Sequence, residues 1–272
     1  MGIKKNAVAT KLFLVFAILG LILLSGCAAP ANHDAQWAAV IKNFGGRAQK
    51  VNGFMEGTLN SPDSERKFSA PEGEVTLATK GFGGASAMVL AVDGKAVSGF
   101  PVIDSGSSFE AEVIYVGSID DGLEEYVGIG IGGLPVLYFA ADYAYNYDKY
   151  AALEGKEAEC LLWGIGYNMR EIELPETKPA TAGEYWVGKG FTMLFSVDGR
   201  PGDYDFTGVV RGVKEVKAFG SDAFILDTKI VETLDGVEIV IPILVLKSNF
   251  EGTPQVDDGV EGTFWLGGKL AD

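Results

Sequence analysis

From residue 73 onward the chain is a succession of short runs rich in Val, Ile, Phe, Tyr and Thr. They read VTLA, AMVLAV, FEAEVIYVGS, EYVGIGIGG, PVLYFA, ECLLWGIGY, EYWVG, FTMLFSV, FTGVVRGVKEV, AFILDTKIV, EIVIPILVL and GTFWLGG. Gly, Asp, Asn and Pro punctuate them at short intervals, which is the signature of strands joined by tight turns. Strands do not alternate with long helical patterns, so a parallel, doubly wound sheet is not expected, which argues against the usual solute-binding architecture. The expected fold is mainly β, built as a tandem pair of small β-barrels or β-sandwiches.

The pairing expectation comes from a repeat. Met88-Val-Leu-Ala-Val92-Asp93-Gly94-Lys95 returns as Met193-Leu-Phe-Ser-Val197-Asp198-Gly199-Arg200, each preceded by Lys-Gly-Phe (residues 80–82 and 189–191). FEAEVIYVGS from Phe109 matches FTGVVRGVKE from Phe206, and the stretch around Gly155 matches the stretch around Gly259. The order is kept while the loops vary, as in a duplicated unit. The shared Asp-Gly marks a tight turn, because Gly takes positive φ freely and Asp tolerates it. The repeat predicts one β domain at 73–170 and a second at 183–272, with the Pro- and Glu-containing segment 171–182 as a semi-rigid linker.

Gly259-Val-Glu-Gly-Thr-Phe-Trp265-Leu-Gly-Gly resembles the closing strand of an OB-fold barrel, in which a late strand closes the ring and removes the sheet edges. Residues 141–160, ADYAYNYDKYAALEGKEAEC, are similar to OB-fold lipoprotein domains of the tRNA-anticodon-binding-like kind. The resemblance implies an OB-like barrel and assigns no site residue. An Ig-like sandwich is the alternative.

The first 33 residues give an address. Lys4, Lys5 and Lys11 flank the apolar run LFLVFAILGLILL at 12–24, and Ser25, Gly26 and Cys27 follow. A positive flank, a short apolar core and small residues mark an export signal, and the run is shorter than the ~20 residues that span a bilayer. Leu24-Ser25-Gly26-Cys27 resembles the bacterial lipobox. That resemblance implies cleavage of residues 1–26, diacylglycerol on the Cys27 sulfur, and a cell-membrane or outer-membrane lipoprotein outside the cytoplasm. Residues 27–33 are then a lipidated tether, and 34–72 an amphipathic helix followed by loop. Trp37, Val40, Ile41 and Phe44 fall on one helical face, which predicts the helix at 34–44.

Charge narrows the partners. The chain has 22 Lys and Arg against 37 Asp and Glu, a net charge of −15; without Lys4, Lys5 and Lys11 the balance is 19 against 37, or −18. Such a surface repels nucleic acid, so no nucleic-acid partner is expected. With Cys27 lipidated, Cys160 has no disulfide partner, and its apolar strand predicts a buried thiol. His33 is the one histidine, so neither a multi-histidine zinc site nor a Ser-His-Asp triad is expected, and no metal or cofactor is assigned.

Several motifs invite chemistry. Gly128-Ile-Gly130-Ile-Gly132-Gly133 matches the dinucleotide fingerprint but leads into Leu134-Pro135 and further strand, whereas the chemistry needs a helix N-terminus. Ser64-Glu-Arg-Lys67 matches S-x-x-K without its Lys-Thr-Gly partner. Carboxylates gather at Asp120, Asp121, Glu124 and Glu125, and at Asp198, Asp203 and Asp205; neither stretch has calcium-loop spacing. Tyr143, Tyr145, Tyr147 and Tyr150 are the candidate ligand-binding residues, as an aromatic platform for sugar or peptide or, alternatively, as half-buried core. The expected function is binding or envelope assembly, with envelope proteins or glycans as partners; the alternative is an envelope hydrolase using a carboxylate pair.

Overall fold

The strand runs pair into two sheets in the computed structural model, which describes residues 33–42, 46–70, 73–117, 123–131, 134–174, 192–233 and 236–271. The fold is mainly β. Among the described residues no helix is long and apolar enough to cross a membrane. The signal segment, Cys27 and most of the tether lie outside the described residues, as do Phe44 and the run EYWVG. His33, placed in the tether by the sequence, is buried instead, its ring against Phe100, Phe139 and Trp265.

Helix α1 spans Asp34–Val40, with Trp37 and Val40 buried as their spacing requires. Helix α2, Arg47–Asn60, stands where loop was expected. Its apolar residues Val51, Phe54, Met55 and Leu59 do recur at helical spacing, but Gly53 and Gly57 mask the pattern, since each costs about 1 kcal/mol against Ala in a helix. Tertiary contact overrides that cost: the Phe54 ring meets Trp37, Phe82 and Phe219.

The small sheet is an antiparallel meander of β1 (Ser64–Ala70), β2 (Gly73–Gly81), β3 (Ser86–Val92) and β4 (Lys95–Val102). Its β3–β4 hairpin closes through Asp93 and Gly94 at φ 50° and 77°, the two-residue turn that suits twisted strands.

The large sheet contains β5 (Ser107–Val116), β6 (Tyr126–Ile131), β7 (Leu134–Ala140), β8 (Glu157–Ile172), β9 (Met193–Ser196), β10 (Asp203–Ala218), β11 (Ser221–Glu232), β12 (Glu238–Leu246), β13 (Phe250–Glu251) and β14 (Gly259–Leu270). Helix α3, Tyr143–Leu153, connects β7 to β8. The pairing closes two five-membered rings. Barrel 1 runs β5-β6-β7-β14-β8 and back to β5. Barrel 2 runs β10-β11-β12-β8-β14 and back to β10. In each ring the one parallel contact joins the third strand to the fifth: β7 to β14, and β12 to β8.

The long antiparallel strands β8 and β14 therefore belong to both barrels. Each is the fourth strand of its own repeat and the closing strand of the other. This corrects the expected division at 171–182. β8 runs through Ile172, residues His33–Asp272 form one compact unit, and a single apolar core takes in Val113 and Leu162 together with Leu226 and Ile243. The physical reason is edge closure: neither four-stranded set closes alone, and an open edge exposes unpaired backbone.

The ladder carries the duplication in detail. β5 bulges between Val113 and Tyr115, and β10 bulges between Val210 and Gly212, at positions the repeat aligns. The Gly155 amide donates to the Val113 carbonyl at 2.7 Å, and the Asp257 amide donates to the Val210 carbonyl at 2.8 Å. Gly155 and Asp257 have φ 75° and 72°. Gly155 thus corresponds to Asp257, two residues before the Gly259 that the sequence match selected. The same shift aligns Trp163 with Trp265. The first matched motif behaves differently: its Asp-Gly lies beyond a strand in both copies, but β3 joins the meander and β9 joins β10.

Two features fix the shared pair. A Cβ on Gly267 would lie 2.5 Å from the Trp163 indole nitrogen, so that close crossing requires glycine. Helix α1 is fastened beside the pair: Trp37 Nε1 donates to the Gly99 carbonyl at 2.7 Å, and Gln36 Nε2 donates to the Tyr167 hydroxyl at 3.0 Å.

Candidate functional site

The four tyrosines do not form a platform. On α3 the 3.6-residue period turns Tyr143, Tyr147 and Tyr150 inward and Tyr145 outward. Tyr143 donates to the Gly117 carbonyl at 2.7 Å, and Tyr150 donates to Asp142 Oδ1 at 2.5 Å. Only Tyr145 is exposed, at 41 %, and Arg66 lies 4.4 Å over its ring. Three of the four therefore hold barrel 1 together.

Beneath α3 lies a buried polar network. Asp142 Oδ2 accepts from Asn146 Nδ2 at 2.6 Å and from the Leu270 amide at 3.3 Å. Tyr138 and Tyr150 hydroxyls lie 3.3 Å apart, and Cys160 Sγ is 3.9 Å from Tyr138. Burial raises the Asp142 carboxyl, opposed by the hydrogen bonds from Tyr150 and Asn146. Burial also pushes the Cys160 thiol up to about 11, the direction opposite to an activated nucleophile.

The other motifs are placed as follows. Residues 128–131 of the glycine run lie on β6, and Ser64–Lys67 lie on β1, so neither opens a helix. Asp120 and Asp121 fall outside the described residues. Glu124 Oε1 accepts from Ser98 Oγ at 2.5 Å and lies 3.3 Å from His33 Nε2. Glu125, raised by burial, accepts from the Tyr126 amide at 2.8 Å. Asp198 lies in the turn after β9. Among the described residues no group of three or more His, Cys, Asp or Glu could hold a metal.

The feature that invites a ligand is a groove of about 820 Å³ on barrel 2. It runs along the outer face of β9, β10, β14 and the end of β8, and is bounded by Ser248–Glu251. Strand alternation dictates its floor. Cross-strand register gives one row of Phe195, Asp205, Thr263 and Asn168, and a second of Met193, Thr207, Glu261 and Arg170. Thr263 donates to Asp205 at 2.5 Å, and Arg170 Nε donates to Glu261 at 2.7 Å. Phe195 is 59 % exposed and Met193 36 %, an apolar ledge beside a polar floor. Three carboxylates, Asp205, Glu251 and Glu261, face one guanidinium, Arg170.

Tyr167 and Asp203 adjoin one end of this floor. Asp203 shares a strand face with Asp205 and is buried, accepting from the Tyr167 hydroxyl at 2.8 Å and lying 3.3 Å from Arg200 Nε. Burial pushes its carboxyl up to about 6, against the pull of Tyr167 and Arg200. Asn249 Nδ2, from the groove wall, donates to the Ala39 carbonyl at 3.2 Å and ties that wall to α1.

Sequence reasoning singled out Asp203 and Asp205 as carboxylates but missed Phe195, Arg170 and Glu261. The usable signal was the polar alternation Asp205-Phe-Thr207 and Glu261-Gly-Thr263, which marks a strand with one wet face. No protein-family model, no curated protein and no solved structure matches this chain.

Proposed function

We propose that this chain is a lipid-anchored binding protein of the cell envelope, held outside the cytoplasm through acylated Cys27, with the barrel 2 groove as its ligand site. The observation that carries the binding reading is the groove floor. Four strands present polar side chains in register beside an exposed aromatic ledge, the mixture of few polar groups and apolar surface that ligand sites use. The anchor reading rests on Leu24-Ser25-Gly26-Cys27. The ring order, with its parallel third-to-fifth contact and α3 between the third and fourth strands of barrel 1, supports an OB-like reading of each barrel.

Two experiments test this. In cells fed an alkyne fatty acid, the wild type is labelled and partitions into detergent, and Cys27→Ala does neither; equal labelling removes the anchor. The full-length chain and its Phe195→Ala variant are immobilised and exposed to solubilised envelope. A species retained by the wild type and lost in the variant is expected; identical retention removes the groove from the reading.

The alternative is an envelope hydrolase using a carboxylate pair. Asp203, raised near neutrality two residues from Asp205, is the observation that favours it. Release of reducing ends from peptidoglycan by wild type and not by Asp203→Asn would support it.

A further inference from the structure

Within the binding reading, the groove also specifies a ligand class. We infer that it takes an extended basic peptide segment, with a Lys or Arg over Phe195 and Asp205 and an apolar side chain two positions away over Met193.

The charge comes first. Among the described residues Glu261 is bound by Arg170, Asp205 accepts from the Thr263 hydroxyl, and Glu251 adds a further acid on the wall. The groove keeps a negative excess that disfavours an anionic ligand and attracts a cationic one. The placement is specific. Phe195 is the cross-strand partner of Asp205, so an aromatic face and a carboxylate lie about 5 Å apart on one surface. That pair suits an ammonium or guanidinium, which gains from the ring quadrupole and the opposite charge together.

Spacing selects a peptide. Met193 lies two residues before Phe195 on the same face of β9, and residues two apart on a strand are separated by about 6.8 Å. A peptide strand laid along the groove has the same period. Its alternate side chains therefore meet the acidic aromatic row and then the row of Met193 and Thr207. The pattern is basic-x-apolar.

The test is fluorescence anisotropy with the full-length chain in dodecylmaltoside micelles. The probe is a fluorescein-labelled decapeptide of sequence GSKSLSKSLS. Its counterpart carries Glu for Lys, and chitohexaose serves as the saccharide competitor. The Lys peptide is expected to bind and the Glu peptide not to. Asp205→Asn and Phe195→Ala are each expected to weaken binding about fivefold or more, with unchanged circular dichroism. Asp222→Asn, an exposed acid at the start of β11, is expected to leave it unchanged. Equal weakening by Asp222→Asn, or equal binding of the Glu peptide, overturns the inference as mere surface charge. Binding of chitohexaose alone, lost in Phe195→Ala, overturns the peptide but keeps the groove. Binding of neither probe overturns the peptide class, and the envelope capture then decides whether the groove binds anything.

Discussion

In barrel 1 the connection from third to fourth strand folds into α3, which sends Tyr143 and Tyr150 into the core. In barrel 2 the same connection is a 3-10 turn at Lys247–Asn249 followed by β13, and the groove lies against it. The cores differ in step. Tyr138 and Cys160 of barrel 1 correspond in the ladder to Ile243 and Gly262 of barrel 2. One copy fills its barrel with a polar network capped by a helix. The other has Ile243 in the core and the half-buried Gly262 at those positions, and a polar, open groove outside. The two matching halves thus differ, one closed over by a helix and the other leaving a groove open.

The largest test breaks the shared strands. Phe264→Ala removes an aromatic side chain that belongs to both rings and is expected to cost about 3–5 kcal/mol. Unfolding should remain a single transition followed by calorimetry; two transitions would mean that the barrels are independent. Next is acidity at the groove end. The folded Asp203 carboxyl is raised from 3.8 to about 6, so the folded state binds its proton more tightly than the unfolded chain. Its stabilisation is full below pH 4 and is lost as pH rises through 6, by on the order of 2 kcal/mol. Asp203→Asn should flatten that dependence in melting curves between pH 4 and 7, while Asp203 unchanged by pH would remove the buried-charge account.

A smaller effect sharpens the contrast between cores. Tyr150→Phe deletes the hydroxyl that donates to Asp142 and is expected to cost about 1–3 kcal/mol in urea melts. A neutral outcome would mean that the hydroxyl pairing in barrel 1 adds nothing to its stability. The least effect belongs to Tyr145→Ala, about 0.5–1 kcal/mol from the lost Arg66 contact, with no change in peptide binding.

The strands were legible because β-branched and aromatic runs end in Gly, Asp and Asn turns. The repeat was legible because the bulged segments Phe109–Val116 and Phe206–Val213 kept their pattern. The sharing of β8 and β14 was not, because a closing strand is chosen by edges far away in the chain. The two-residue slip at Gly155 arose because a positive φ there admits either Gly or Asp. Tyr143 and Tyr150 fit either a platform or half-buried core in the sequence, because a helix and a strand place four alternating tyrosines differently; α3 turns these two into the core. The groove is half legible: Asp203 and Asp205 stand out as clustered carboxylates, but Phe195 sits in an apolar run that reads as core.

The shared strands also set a timetable. Barrel 1 owns residues up to Ile172, yet its closing strand is Gly259–Leu270. A chain emerging from the ribosome presents β5 to β8 first, with an open edge and a half-covered core. That edge stays open until β14 is delivered, when both rings close together. A chaperone or nascent-chain contact would be needed longest by the first copy, and a stop codon before residue 259 would leave neither barrel sealed.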